Sequence, residues 1–362
     1  MSEPRDPPYP ELKKTHTMAH TGRPWTDHKP PPAAPVWAAI QGLGSYHVLL
    51  AALELDVFDT MAELGPAPSA AVAERLGVSP GHLESLLDSL VALGLLDQFR
   101  AVYELNDTAR RYLTSDGPAT MADLVAVAPG PHDNWTRLAD TIREGRPATP
   151  IDDDPASFYV PLVEGTFTTM WRCATRADLK VRYSALEAPR VLDLGAGGAP
   201  WAISVLEACP GGTAVVNDLP GVIEVAQAKT AEFGVADRCE FRPGDFHQVD
   251  IEAEHYDLVV LGHVCRTEGP EGARRLIERA FTALKPDGRV LLADYFVDLE
   301  HKFNPHAVLM GMTMMTSTVN GFPITNDQAT TWMRETGFEA LRLIEPIGFQ
   351  FVYVATKPRR ST

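Results

Sequence analysis

The segment VLDLGAGGAP, Val191–Pro200, decides the fold of this 362-residue chain. An apolar run leads to Asp193, a turn of small residues follows at Gly195–Gly198, and a helix can begin at Pro200. This strand–turn–helix pattern is typical of an open α/β sheet, which binds ligands at the carboxyl ends of its strands. The dinucleotide fingerprint GxGxxG would require glycine where Pro200 stands. The turn therefore favours a ligand without a pyrophosphate; a glycine turn used only for tight packing is the alternative.

Short apolar strands recur through the second half of the chain. VVNDL ends near Asp218, RPGDF contains Asp245, and YDLVVLGHV and GRVLLADYF follow. Helical segments lie between these strands, which predicts a parallel sheet with right-handed crossovers. The closing sequence ALRLIEPIGFQFVYVATK predicts two strands joined by a turn around Pro346 and Gly348. We therefore expect a Rossmann-like α/β domain with an antiparallel C-terminal hairpin over residues 189–358.

Two segments lie on either side of residues 35–115. Residues 1–34 are rich in proline and poor in aliphatic side chains, which predicts a disordered tail. The alternative is an arm that packs on a partner subunit through Tyr9 and Trp25. Residues 116–188 predict a helical connection, which we expect to line an acceptor pocket.

Residues 35–115 predict a winged helix: an almost wholly apolar first helix, helices at 69–76 and 80–93, and a hairpin, with Ser79 as an N-cap. Residues 36–115 contain ten acidic residues, four arginines and no lysine. Reading DNA requires phosphate neutralisation and donors for base edges, so this composition disfavours DNA binding. A small domain cannot bury the apolar first helix alone, and this helix predicts a homodimer interface.

The composition of the whole chain limits its partners and location. A net charge of -16 disfavours contact with nucleic acid and acidic membranes. We expect no membrane span, because no apolar run is judged to reach roughly 18 residues. The four cysteines are scattered without a CxxC pair, and the N-terminus lacks the apolar core of a signal peptide. Free thiols in a reducing cytoplasm are therefore expected.

Acidic residues at two further strand ends extend the predicted pocket. Asp218 lies about 20 positions beyond the glycines, where a carboxylate can accept both ribose hydroxyls; a helix N-cap is the alternative. Asp245 can accept an adenine amino group while Phe246 lines the ring; an ordinary turn is the alternative. The three strand ends adjoin in this topology, so together they predict one pocket.

In order and spacing, VLDLGAGGAP, VVNDLP, RPGDF, LKPDGRVLLAD and TNDQATTWMRETGF resemble one family of S-adenosylmethionine (SAM)-dependent methyltransferases. This family includes the caffeic-acid-type (class II) O-methyltransferases and bacterial enzymes that modify natural products. The resemblance covers residues 36–358 and implies SAM as cofactor, a small-molecule acceptor and a homodimer formed by the N-terminal domain. The cofactor-binding candidates are Asp193, Gly195, Gly197, Asp218, Leu219, Asp245, Phe246 and Gly262.

The acceptor side departs from the family pattern. A histidine in a His-Asp-Trp-like segment is the general base of these O-methyltransferases, and its position falls on Arg266. His263 lies three residues earlier and takes the role only if the register shifts by three. Of the two carboxylates that support the histidine, one falls near Asp294 and is retained, while the other falls near Pro323 and is lost.

Arg266 therefore has an open role. A guanidinium with a pKa above about 12 cannot act as a base at neutral pH. We expect Arg266 at the mouth of the acceptor pocket. There it either binds an anionic acceptor group through its planar fork or pairs with Glu268 or Asp294. An exposed arginine in the loop after the fourth strand is the alternative.

Other acceptor contacts are predicted with core packing as the alternative for each: Phe167, Met170, Trp171, His306, Met310 and Met314. His263 and His306 could form a metal pair, but no third ligand is evident, and we expect no metal. The expected function is SAM-dependent O-methylation of a natural-product-like small molecule. The alternatives are C-methylation of an enolisable acceptor such as a 2-oxo acid, a repurposed SAM-binding protein with another reaction, and a ligand-responsive regulator.

Overall fold

The computed structural model describes residues 33–128, 132–298, 304–347 and 350–359. The described residues fall into two units, with the boundary between Tyr46 and His47. The prediction of a disordered tail falls outside the described residues, apart from positions 33 and 34.

The first helix, α1 (Ala34–Glu54), begins in the first unit and ends in the second. The large apolar side chains of its first half are exposed, from 59% at Trp37 to 69% at Leu43. Among the described residues, α1 is the one helix that is long and apolar enough to cross a membrane, judged by length and composition only. The expectation that no apolar run reaches this length is therefore wrong for α1.

The elements that follow form the predicted winged helix. Its helices are α2 (Val57–Leu64), α3 (Ser69–Leu76), α4 (Pro80–Ala92) and α5 (Asp107–Tyr112). Its strands are β1 (Ala67–Pro68), β2 (Leu96–Phe99) and β3 (Val102–Leu105), arranged in the order β1-β3-β2. Ser79 occupies the predicted N-cap position of α4 but makes no capping hydrogen bond, since its hydroxyl contacts Nδ1 of His82 at 2.8 Å.

Four helices connect the winged helix to the sheet: α6 (Ala122–Val127), α7 (His132–Thr136), α8 (Leu138–Glu144) and α9 (Pro155–Val181). The start of the long helix α9 carries a local capping signal. Asp154 accepts a hydrogen bond from the backbone N of Ser157 at 3.4 Å, and proline stands at the first helical position.

A seven-stranded sheet forms the rest of the second unit. Its strands are β4 (Arg190–Leu194), β5 (Thr213–Asp218), β6 (Cys239–Pro243), β7 (Tyr256–Gly262), β8 (Leu284–Asp294), β9 (Glu339–Ile347) and β10 (Gln350–Thr356). The order is β6-β5-β4-β7-β8-β10-β9, with β10 antiparallel to both of its neighbours. The helices are α10 (Pro200–Ala208), α11 (Pro220–Glu232), α12 (Cys265–Ala283), α13 (Pro305–Ser317) and α14 (Asn326–Thr336). The predicted Rossmann-like fold with a C-terminal hairpin is confirmed.

Two details of the predicted strands are corrected. Pro346 lies within β9 rather than in the hairpin turn, and Gly348 lies outside the described residues. Asp245 does not end β6 but follows it by two residues.

The sheet separates two apolar cores because its strands are buried on both faces. Val191 packs into the core shared with α9 and α10, whereas the next residue, Leu192, packs into the core shared with α12 and α14. Both side chains are fully buried. The strands are therefore fixed in register, and so are the loops at their carboxyl ends.

Candidate active site

The carboxyl edge of β4, β5 and β6 gathers the residues predicted to bind the cofactor. These strands are neighbours in the sheet, so their ends adjoin. Asp218 ends β5, the loop Gly195–Gly198 follows β4, and Asp245 follows β6. The structure brings these candidates together at one edge, while their role as cofactor ligands stays a prediction.

Gly195 is required by the local geometry. Its φ is +64°, and a Cβ at this position would lie 2.3 Å from Cγ1 of Val264 and 3.4 Å from Cδ1 of Phe246. A positive φ favours glycine, and no space remains for a side chain. The backbone of the loop therefore runs against Phe246, the residue predicted to line the adenine ring.

Asp218 holds this loop in place. Its Oδ2 accepts a hydrogen bond from the backbone N of Gly197 at 2.7 Å, and its Oδ1 accepts one from the backbone N of Leu219, also at 2.7 Å. Burial raises the pKa of Asp218 to about 6, against the opposite effect of these two bonds. The N-cap position of α11 is Leu219, so Asp218 is not the helix cap. A carboxylate has about four acceptor sites, and it can still accept from ligand hydroxyls.

Asp193 is 0% exposed and contacts the first turn of α10. Its Oδ2 accepts a hydrogen bond from the backbone N of Ala202 at 3.1 Å, and its buried Oδ1 has no partner among the described residues. Burial raises the pKa of Asp193 to about 7. Asp193 therefore joins β4 to the helix that follows the glycine loop.

Asp245 and Gly262 lie on either side of this loop. Asp245 accepts hydrogen bonds from the backbone N of His247 and from Nε2 of Gln248, each at 2.8 Å. A Cβ at Gly262 would lie 2.7 Å from Cδ1 of Trp201, so the end of β7 packs closely on this indole. Both candidates are half-buried.

Helix α9 covers the glycine loop with apolar side chains. A Cβ at Gly197 would lie 3.3 Å from Cγ1 of Val163, and one at Gly198 would lie 2.9 Å from Cδ2 of Phe167. Phe167 is 5% exposed, and its ring centroid lies 5.6 Å from that of Phe233. Core packing accounts for these contacts of Phe167, a candidate acceptor contact.

Trp171, one turn further along α9, also contacts other residues of the protein. Its Nε1 donates to Oε2 of Glu207 at 3.0 Å. Its ring centroid lies 5.1 Å from that of Phe233. For Trp171, the structure favours the packing alternative.

Arg266 lies further along the same sheet edge, in the first turn of α12. Gly269 has non-helical backbone and separates this turn from the rest of the helix. The Arg266 side chain is 13% exposed, and its Nη1 donates to Oδ1 of Asp294 at 2.7 Å and to the carbonyl O of His263 at 2.8 Å. The alternative of an exposed loop arginine is therefore wrong, and the pairing is with Asp294 rather than Glu268.

Asp294, at the end of β8, is the carboxylate that binds Arg266. Together with His263 and Tyr295, these two residues are called the Arg266 group below. Asp294 is 1% exposed and also accepts from the backbone N of Arg266 at 3.2 Å and of Tyr295 at 2.8 Å. Burial lowers the pKa of Arg266, but Asp294 and the nearby Tyr295 and Tyr159 together raise it above its ordinary value. The Arg266 Cζ also lies 5.2 Å from the Tyr295 ring centroid, within range of a cation–π contact.

His263 shares this environment but is poorly suited to act as a base. Its φ is +65°, and its backbone N donates to the carbonyl O of Ala293 at 2.7 Å. Both ring nitrogens are buried, and neither makes a hydrogen bond with a described residue. Burial, and then the charge of Arg266, lowers the pKa of His263 to about 4. The ring is therefore neutral and weakly basic at neutral pH.

Two of the other predicted acceptor contacts, Met170 on α9 and His306 on α13, lie beside this group. Met170 accepts a hydrogen bond at its Sδ from Nε2 of Gln350 at 3.5 Å. His306 packs edge-to-face on Tyr295 with a centroid distance of 5.0 Å. On α13, Met310 is half-buried and Met314 is 4% exposed. The structure brings Met170 and His306 to the Arg266 group, and the acceptor-binding role of all four stays a prediction.

Three residues of this region were missed by the sequence reasoning: Tyr159, Tyr295 and Gln350. Tyr159 lies on α9, and burial raises its pKa to about 12 while the charges of Arg266 and Asp218 both act on it. Arg266 and Asp218 are thus both within electrostatic range of Tyr159. Gln350 had a sequence signal, because it is a lone polar residue in the apolar run FQFVYV, whereas Tyr159 had none.

A metal centre has no support in the described ranges. There, no three His, Cys, Asp or Glu side chains come together in a group that could hold a metal ion.

Comparisons with known proteins agree with this arrangement. A family model of the O-methyltransferase domain matches residues 135–339, and one of the O-methyltransferase dimerisation domain matches residues 37–115. The 3-hydroxy-5-methyl-1-naphthoate 3-O-methyltransferase of Streptomyces sahachiroi is 28% identical over 318 residues, which cover 84% of this chain and 88% of that protein. The acetylserotonin O-methyltransferase of Bos taurus is 28% identical over 289 residues, 75% of this chain and 82% of that protein.

A solved structure shares the fold. Human N-acetylserotonin methyltransferase in complex with SAM superposes with a TM-score of 0.78 and 24% sequence identity, covering 92% of this chain and 99% of that chain. Together with the two matching family models, these likenesses lead to one conclusion: the chain belongs to the O-methyltransferase family, with the family's dimerisation domain ahead of its O-methyltransferase domain.

Proposed function

We propose that this chain transfers the methyl group of SAM to a hydroxyl oxygen of a small, natural-product-like aromatic acceptor. The observation that carries the proposal is the shared sheet edge. The glycine loop with Asp218 and the Arg266 group lie at the ends of consecutive strands, β5, β4, β7 and β8. Neighbouring strands are about 4.8 Å apart, so the two groups are close enough to hold two small molecules in contact.

The glycine loop fits SAM by its shape and by its chemistry. A side chain at Gly195 would collide with Val264, so backbone rather than side chain borders the space above the strand. Asp218 keeps acceptor capacity for ribose hydroxyls beside this backbone. SAM, when bound, supplies an electrophilic methyl group on a positively charged sulfur.

The residues of this chain contribute to the rate of methyl transfer chiefly by orienting the two reactants. In the transfer, a bond forms between the acceptor oxygen and the methyl carbon as the carbon–sulfur bond breaks, and the hydroxyl loses its proton. Arg266 cannot take this proton, and His263, with a pKa lowered to about 4, is a weak base. Holding the reacting atoms in contact can itself supply a large part of the rate, and the proton can pass to water.

The activities of two relatives support an aromatic hydroxyl as the acceptor. The Streptomyces sahachiroi relative methylates a hydroxynaphthoate, and the Bos taurus relative methylates acetylserotonin. We propose that the acceptor of this chain also carries an aromatic hydroxyl.

The test uses SAM with a deuterated methyl group and a panel of hydroxyaromatic acceptors. Mass spectrometry should find a product heavier by one labelled methyl group, and NMR should place that group on oxygen. Label on carbon would favour C-methylation. Tight SAM binding without labelled product from any acceptor would favour the repurposed or regulatory alternatives.

We further propose that the active form is a cytoplasmic homodimer. The match to the dimerisation domain and the exposed apolar side chains on the first half of α1 support the dimer. The cysteines, all free thiols in this structure, suit a reducing compartment. The domain limits of 35–115, 116–188 and 189–358 remain part of this proposal.

A further inference from the structure

Four polar atoms around Arg266 are buried without a hydrogen-bond partner among the described residues. They are Nε of Arg266, both ring nitrogens of His263 and Oε1 of Gln350. Nδ1 of His263 lies 3.9 Å from the Asp294 oxygen that Arg266 binds, and the side chain of Gln350 is close enough to those of His263 and Tyr295 to shift the pKa of each. Buried polar atoms are nearly always paired in native proteins, so four in one place indicate a ligand or ordered water.

The free donors of Arg266 lie on one edge of its guanidinium. Both of its side-chain hydrogen bonds leave from Nη1. Nη1 is on the same side as Cδ in the planar guanidinium, so Nε and Nη2 form the opposite edge, with two parallel N–H bonds. This edge is the one that binds a carboxylate in a bidentate manner. Asp294 and the carbonyl of His263 hold the guanidinium from the other edge.

The remaining free atoms require a different partner. Oε1 of Gln350 is an acceptor, while its Nε2 already donates to Met170. The neutral ring of His263 offers one donor and one acceptor. A carboxylate alone can satisfy the donors but not the acceptors. A hydroxyl group on the same molecule can donate to one of these acceptors, on Gln350 or on His263.

The charge balance is consistent with an anionic acceptor. Arg266 and Asp294 neutralise each other within 2.7 Å. On the proposed function, the sulfonium of bound SAM adds one positive charge at the same edge, and a carboxylate on the acceptor balances it.

We infer that the acceptor is a hydroxyaryl carboxylate, with its carboxylate on the Nε/Nη2 edge of Arg266 and its hydroxyl toward Gln350 and His263. This inference rests on the proposed function, because it names the substrate class of the same site. Arg266 here acts as a specificity-determining residue in place of a base.

The first test compares two ligands that differ only in the carboxylate. The protein, saturated with S-adenosylhomocysteine, is titrated calorimetrically with 3-hydroxy-1-naphthoate and with 2-naphthol. The acid should bind about ten- to 100-fold more tightly, the factor expected for a charge-assisted bidentate contact. Equal affinities, or no binding of the acid, would overturn the inference. This binding readout does not depend on turnover, so a failure of the proposed methyl transfer would be seen separately by mass spectrometry.

The second test replaces the planar guanidinium of Arg266 with an ammonium group and so keeps the positive charge. Arg266→Lys should lose most of the preference for the acid over 2-naphthol, because an ammonium cannot make the bidentate contact. Arg279→Lys is a matched control on the same helix, since Arg279 also has a buried, unpartnered Nε and donates from Nη2 to the carbonyl O of Val249 at 2.6 Å. The control should keep the preference. SAM affinity, measured on both variants, verifies that each is folded, and an Arg266→Lys protein that binds SAM and keeps the full preference would refute the role of the fork.

Discussion

The predicted exchange of the family's histidine for Arg266 would change the proton chemistry of the site. The family resemblance places a histidine base at this position, and a guanidinium cannot replace its function. The structure shows that the arginine retains the carboxylate partner expected for the histidine, since Asp294 binds Nη1 at 2.7 Å. The position where the second carboxylate was expected, Pro323, packs instead against Gly311 of α13. At this position the structure therefore shows a carboxylate that holds a fixed cation.

Asp218 is the residue on which SAM binding should depend most clearly. Asp218→Ala removes the carboxylate and should weaken SAM binding by about 1.5–3 kcal/mol, the range for charge-assisted hydrogen bonds. Calorimetric titration with SAM measures this change. Asp97→Ala, at an exposed position of β2, is the control and should leave the affinity unchanged. An unchanged affinity for Asp218→Ala would remove this residue from the site.

Asp193 should make the stability of the protein depend on pH. Burial raises its pKa from 3.8 to about 7, so between these values the folded protein holds a proton that the unfolded chain releases. The free energy of unfolding contributed by Asp193 therefore falls as the pH rises through this window. Asp193→Asn removes the titration, and the asparagine oxygen can still accept from Ala202.

Urea unfolding of both proteins at pH 5 and pH 8 checks this expectation. Relative to wild type, Asp193→Asn should gain about 1–3 kcal/mol in stability between the two conditions. A stability difference that stays constant with pH would show that Asp193 titrates near its ordinary value.

At the scale of elements, the sequence predicted what local signals specify. The glycine turn and the alternation of strands and helices led to the correct fold and, for α3, to the observed bounds. The elements that complete the acceptor side come from distant parts of the chain. Gln350 reaches Met170 across 180 residues, a proximity that results from β10 pairing beside β8. No local pattern contains that information.

Helix α9 is the element whose packing should control both stability and cofactor binding. Phe167 fills the space between this helix, the glycine loop and Phe233, and Lys229 lies 4.9 Å from its ring centroid. Phe167→Ala should lower the free energy of unfolding by about 3–5 kcal/mol, as large-to-small core substitutions do. It should also weaken SAM binding, since the helix then no longer presses on the loop.

The matched control for this substitution is Phe99→Ala. Phe99 is 72% exposed, so its removal should change stability by less than about 0.5 kcal/mol. Denaturant unfolding and SAM calorimetry on the two variants give the comparison. If Phe167→Ala lost stability but kept full SAM affinity, α9 would be a structural support without influence on the loop.

At the scale of the whole molecule, the proposed dimeric state can be tested directly. Val36, Trp37, Ile40 and Leu43 are all at least 59% exposed on α1, and obligate interfaces bury about 2,000 Å² or more of such surface. Light scattering at micromolar concentration should find a dimer for the wild type and a monomer for the double variant Ile40→Glu/Leu43→Glu. Leu179→Glu, at a position 78% exposed on α9, should remain dimeric. A monomeric wild type, or a double variant that stays dimeric, would contradict the proposal.

The direction of the last strand decides how this protein can be attached to a surface. Because β10 runs antiparallel to β8, Phe351 pairs with Asp294 at the edge that carries Arg266, and Thr356 pairs with Arg289 at the other edge. Five residues of extended chain separate these positions by about 17 Å. An affinity tag or a tether to a sensor chip, fused after the C-terminus, would leave the sheet from the edge remote from Arg266. Immobilisation through that end should keep the catalytic edge turned toward the solution, which suits the binding experiments described above.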